Sequence, residues 1–169
     1  MEAVIDESVG QGRVTIQTAH GVAKKMQIEH QEQIHILLAS FQGAAHLQEQ
    51  LDSIANQSHP SWRLTISDDG STDATLAIAE KFATQNPNHS IALIKGPQLG
   101  PTANFFHLLS AAAANSESDL FAFCDQDDVW FPDKLKRAFD RLTEAPSNPS
   151  QPLLYCARTR LVDEHLRPI

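Results

Sequence analysis

Four times along this chain a short apolar run is followed by a polar turn and then by apolar residues at helical spacing. This alternation restricts the fold more than any other feature. The first run, IHILLA at 34–39, is nearly continuous, as in a strand covered on both faces. SFQG breaks it, and Ala44, Leu47, Leu51, Ile54 and Ala55 then recur on one face of a helix reaching about Gln57. WRLTI (62–66) is followed by Leu76, Ala79, Phe82 and Ala83, and IALI (91–94) by Phe105, Leu108, Leu109 and Ala112. DLFAFC is followed by Leu135, Ala138, Phe139 and Leu142, and LLYCA (153–157) reads as a fifth strand. Strand–helix repeated four times and closed by a strand predicts an α/β domain, with a mainly parallel sheet and helices on both faces. Ser71 or Thr72 is expected to cap the second helix with Asp73 in its first turn, and Pro132 to sit in the first turn of the fourth. Residues 1–32 form an extension that the pattern does not place, with RVTIQ as a possible short strand.

The 169 residues suit one domain able to bury a core. A formal charge of −8 argues against a nonspecific nucleic-acid binder, which depends on basic patches. It is compatible with an anionic ligand if a divalent metal supplies the local positive charge. The two cysteines, Cys124 and Cys156, lie in apolar runs and read as small buried hydrophobes in a reducing compartment. No signal peptide opens the sequence, and no run approaches a membrane span.

In an open α/β sheet, ligands bind beyond the carboxyl ends of the strands. Four polar segments fall there: ASFQG (39–43), SDDGSTD (67–73), KGPQLGPTAN (95–104) and DQDD (125–128). Their convergence on one edge is the main argument for a site. Carboxylates as crowded as those of DQDD repel one another and resist desolvation, and a bound Mg²⁺ or Mn²⁺ relieves both. DQDD also fits a solvated acidic loop, or a helix cap through Asp127 or Asp128. SDDGSTD also fits ordinary turn and cap chemistry. KGPQLGPTAN has neither the ending of a P-loop nor GxGxxG, although Lys95 could offset phosphate charge. Asn104 suits a cap as well as a ligand contact, and Trp130 reads as a packing anchor.

Taken together, ASFQG with LQEQLDSIANQS, SDDGSTDAT, GPTANF, FCDQDDVWFPDKL and LLYCARTRLVDEHLRPI resemble the nucleotide-binding half of an inverting family 2 glycosyltransferase of GT-A (Rossmann-like) fold. The DQDDVW form is most similar to the bacterial rhamnosyltransferase-type subgroup that builds cell-surface polysaccharides. The resemblance implies that residues 33–169 are the nucleotide-sugar-binding part of such a domain. It implies nucleotide contacts at Ala39, Phe41 and Glu49, a base contact at Asp68 with Asp69 beside it, and pocket walls at Gly100 and Asn104. Asp125 and Asp127 would hold a metal-bound diphosphate, with Asp128 at most touching the sugar. The implied donor is a UDP- or dTDP-sugar, and the implied acceptor a glycan or lipid-linked saccharide. The implied location is the cytoplasm or the inner face of the membrane, without a membrane span.

The sequence departs from the family pattern at Phe41-Gln42, where Tyr-Asn is commoner. The resemblance also implies an acceptor half carrying the general base, expected beyond Ile169, so the chain reads as a fragment that binds donor. Two other readings stand beside this one. One is a non-catalytic nucleotide-binding module. The other is a haloacid-dehalogenase-type phosphatase, whose DxDx[TV] motif FAFCDQDDV matches, although that motif normally ends the first strand of its domain.

Overall fold

The computed structural model describes residues 33–115, 120–145, 152–163 and 167. The expected strand at RVTIQ, within residues 1–32, lies outside them. The described elements alternate: β1 (Ile34–Ser40), α1 (Leu47–Ala55), β2 (Trp62–Asp68), α2 (Thr75–Gln85), β3 (Ile91–Lys95), α3 (Pro101–Asn115), β4 (Leu120–Asp125) and α4 (Lys134–Glu144). The strands form one parallel sheet in the order β3-β2-β1-β4, with Ala39 opposite both Ser67 and Asp125.

β1 is central and buried along its whole length, which explains its unbroken apolar run. Its alternating side chains feed two cores. Ile34, Ile36 and Leu38 pack with Leu51 of α1, Phe82 of α2 and Leu135 of α4, whereas Leu37 and Ala39 pack with Leu108 and Ala112 of α3. The helices therefore lie on both faces, as the pattern predicts. Trp130 is buried in the larger core, so its reading as a packing anchor holds. β3 and β4 lie at the two edges of the described sheet, so Phe123 stays half exposed despite its apolar run.

Several local expectations are corrected. Residues 153–157 form no strand: Leu153 and Leu154 are exposed, and so is Cys156, whereas Cys124 is buried. An apolar run becomes a strand only where a neighbour pairs with its backbone, and no described strand does so there. Leu76 is exposed because the buried face of α2 runs through Thr75, Ala79 and Phe82 and leaves it outside. α1 begins at Leu47 rather than Ala44, after a turn in which Gly43 O accepts from His46 N and Leu47 N. Neither Ser71 nor Thr72 caps α2. Asp73 takes the Thr75 N–H at 3.0 Å instead. Pro132 lies just ahead of α4, whose start is held from outside: Gln57 accepts from Leu135 N (3.0 Å) and donates to Phe131 O (2.9 Å).

Candidate functional site

The connection from β3 to β4 reverses the direction in which the sheet grows, so the topological switch lies between β1 and β4. Loops leave these two strands in opposite directions there and open a crevice at their carboxyl ends. A cavity of about 560 Å³ occupies this place. Its walls include Ala39, Phe41, Asp69, Gly100, Asn104 and Asp125, all of which the sequence singled out. Ser40, Gly70, Gln98, Pro101 and Gln126 complete the lining and were not singled out. Asp68, Glu49 and Asp127 do not line it. Asp68 is buried behind the wall, while Glu49 is exposed on α1 and Asp127 on the loop after β4.

The aspartates of SDDGSTD divide the work of shaping this edge. Asp68 folds its own turn: Oδ2 accepts from Gly70 N (3.2 Å) and Ser71 N (2.8 Å), and Oδ1 from the Ser71 hydroxyl (2.6 Å) and the Ser40 hydroxyl (3.2 Å). Asp69 reaches the next loop, accepting from Gln98 N (2.6 Å) and Gly100 N (2.8 Å). Asp73 accepts from Ala44 N (3.0 Å) and from Thr75, whose hydroxyl hydrogen bond chiefly holds the Asp73 carboxyl below the usual range. Ser71 and Thr75 hydroxyls also accept the N–H groups of Gln42 and Gly43, both at 2.8 Å. The segment after β2 thus satisfies the backbone of the loop after β1, a task no reading of SDDGSTD as a local cap contains.

Gln126 does the same from the other side. Its amide accepts from Phe41 N and donates to Phe41 O, both at 2.9 Å, extending the β1–β4 pairing by one side chain. A Cβ at Gly43 would lie 2.2 Å from Gln126 Oε1, so a side chain there would push the Gln126 amide off Phe41. Asn104 donates to Ser67 O (2.9 Å) and accepts the Ser67 hydroxyl, pinning α3 to the end of β2. Only the tertiary structure brings the partners on different loops together, since they stand 28 to 85 residues apart. A glutamine between two aspartates carries no local sign of this role.

Asp125 closes β4 and projects at the cavity wall. Its Oδ1 accepts the Gln126 N–H at 2.8 Å, and among the described residues Oδ2 has no hydrogen-bond partner. The Asp128 carboxyl is raised by burial first and then by the charge of Asp127, with Lys134 opposing. Among the described residues no salt bridge engages these three aspartates, and no three acidic, histidine or cysteine side chains converge into a ready-made metal cage. A site shared with substrate phosphate needs only one or two protein carboxylates, and Asp125, at the cavity wall with one oxygen unengaged, suits such a set, whereas Asp127 stands outside that wall. No helix among the described residues is long and apolar enough to cross a membrane.

Residues 36–156 match the profile of the family described as glycosyl transferase family 2. A dTDP-rhamnosyl transferase, RfbG of Shigella flexneri, is 36% identical over 105 residues, which are 62% of this chain and 36% of that protein. Protein CgeD of Bacillus subtilis is 25% identical over 68% of this chain and 27% of its own length. The chain thus spans about a third of the length of the curated relatives it matches. Among solved structures, the mannosyltransferase PcManGT from Pyrobaculum calidifontis, in complex with GDP-Man and Mn²⁺, superposes with a TM-score of 0.58 at 23% identity. The match covers 66% of this chain and 32% of that one. TarS of S. aureus in complex with UDP-GlcNAc gives 0.58 at 24% identity, over 66% and 31% of the two chains. Both likenesses show the shared α/β fold of these GT-A glycosyltransferases.

Proposed function

The chain belongs to glycosyl transferase family 2, and on that premise we propose that residues 33–169 are its nucleotide-sugar-binding part. One observation carries the reading: the loops after all four strands meet at a single cavity, at the topological switch point of the sheet, with a β4-end aspartate in its wall. The proposed reaction of the whole protein is transfer of a sugar from a UDP- or dTDP-sugar to a glycan or lipid-linked saccharide, with inversion. The relative named as a dTDP-rhamnosyl transferase supports a dTDP donor, and the neighbour bound to UDP-GlcNAc supports a uridine one.

Ala39 and Phe41 form the β1-side wall against which the nucleoside would lie, and Gly100 lets the chain approach closely from the other side. Asp68 and Asp69 act as positioning residues, since each holds backbone N–H groups of the walls. Asp125 and Asp127 would hold Mg²⁺ or Mn²⁺, which neutralises a diphosphate leaving group; the Mn²⁺ in the complex of PcManGT supports this. Asp125 keeps one oxygen free for that role because Gln126 N–H engages only the other. We assign the general base to no residue of this chain, and place the protein in the cytoplasm, at most peripheral to a membrane. Calorimetric titration of UDP and of dTDP, with and without Mn²⁺, tests the reading. Saturable, metal-dependent heat is expected, and its absence for both nucleotides refutes it.

A further inference from the structure

We propose that the polar edge of α1, through Ser53 and Gln57, positions the acidic loop after β4 for the metal-bound diphosphate; the inference rests on the nucleotide-sugar reading above. Gln50, Ser53 and Gln57 follow one another three and four positions apart, beside the apolar stripe of Leu47, Leu51 and Ile54. Gln50 is fully buried and Gln57 nearly so. A buried amide or hydroxyl is costly unless it is hydrogen-bonded, and these three engage the chain that returns from β4. Gln50 donates to the Cys124 thiol, one residue ahead of Asp125. The Ser53 hydroxyl donates to Gln50 O (2.7 Å) and accepts the Trp130 N–H (3.0 Å). Gln57 bridges Phe131 O and Leu135 N, and just beyond it Ser58 N donates to Pro132 O at 2.7 Å.

The loop therefore stands on two feet. At the first, Gln126 is clamped to Phe41; at the second, residues 130–135 are tied to α1 and the turn after it. Between them, no side chain among the described residues hydrogen-bonds to Asp127, Asp128 or Val129. Asp125 is fixed at the cavity wall by its place in β4. Asp127 lies outside that wall, so its distance from a diphosphate in the cavity depends on the path of the loop between its feet. None of Gln50, Ser53 and Gln57 lines the cavity, so they act through the loop and not on the ligand. An apolar side chain at 53 would fill the space as well, yet would leave the Trp130 N–H without its partner. The loop would then sample other paths, and a carboxylate gathered from several positions binds a cation more weakly than one already in place.

The test titrates UDP into the 169-residue chain by calorimetry at a series of Mn²⁺ concentrations, which gives the Mn²⁺ concentration for half-maximal binding. Ser53→Ala removes the hydroxyl and puts the best helix former in its place, so α1 itself is not weakened. Gln57→Leu removes both contacts of the amide at similar size, and Ser53→Thr keeps the hydroxyl. Ile54→Val, on the same helix, trims the core and touches none of these groups. Ser53→Ala and Gln57→Leu are each expected to need about 10-fold more Mn²⁺, the low end for an outer contact of a metal site. Ser53→Thr should stay within about threefold of the wild type, and Ile54→Val should lower the melting temperature with no change in Mn²⁺ dependence. Mn²⁺ dependence within about twofold of wild type in both Ser53→Ala and Gln57→Leu overturns the positioning role, as does an equal loss in Ile54→Val. Failure of the wild-type chain itself to bind UDP or dTDP with Mn²⁺ instead overturns the nucleotide-sugar reading on which the inference stands.

Discussion

Acid should weaken this fold through one histidine at the centre of the sheet. His35 lies on β1, is 6% exposed, and pairs in register with Arg63 on β2 and Phe121 on β4. Its Nε2 is 2.8 Å from Thr65 Oγ1, while Nδ1 is buried with no hydrogen-bond partner. Burial, and then the positive charge of Arg63, lower its pKa from 6.5 to about 4. The unfolded chain therefore takes up a proton as pH falls through 6.5, while the folded chain resists until about 4. Stability is whole above 6.5 and is lost across the window down to about 4. A lowering of this size corresponds to about 3 kcal/mol in full, of which about 2.5 kcal/mol is lost by about pH 4.5. Urea denaturation at about pH 7.5 and about pH 4.5 measures the loss, with the slope m checked for constancy. In His35→Gln the titrating group is gone while Thr65 keeps a partner, so the wild type should lose about 2.5 kcal/mol more than the variant between the two conditions. Equal losses in the two proteins would refute the reasoning.

Removing the Gln126 amide in Gln126→Ala deletes both hydrogen bonds to Phe41 and should cost about 1–3 kcal/mol by urea denaturation. Gly43→Ala must displace the same amide, so the double variant should lose less than the sum of the two single losses. Asp125→Asn should leave the melting temperature within a few degrees while reducing Mn²⁺-dependent UDP binding by about 10-fold or more, measured by calorimetry. Exposed Cys156 should react with a maleimide within minutes in the native chain, roughly as a free thiol does. Cys124 is buried, with its thiol pKa pushed well up by that burial, and should react only in denaturant, as mass spectrometry after timed quenching would show.

The apolar run of β1 was legible because a strand buried on both faces must be apolar throughout, and the helices because one face of each must meet the sheet. The same reasoning failed at 153–157, where the residues suit a strand but no described neighbour pairs with them. Nor could it show that Phe123 stays half exposed, because strand order, and hence which strands are edges, is not written in any strand's own sequence.

By itself, the sequence determined that four polar segments end at one edge of a parallel sheet, because a right-handed strand–helix unit returns each strand in the same direction. It placed Ala39, Phe41, Asp69, Gly100, Asn104 and Asp125 at that edge, and all six line the cavity. Only the tertiary structure decided what those side chains hold. Asp68 is turned inward to bind its own turn, Asp69 outward to clamp the loop of Gln98, and Gln126 across to Phe41. A hydrogen bond depends on where two groups lie in space to within a few tenths of an ångström. Residues dozens of positions apart acquire that relation only when the sheet sets them side by side.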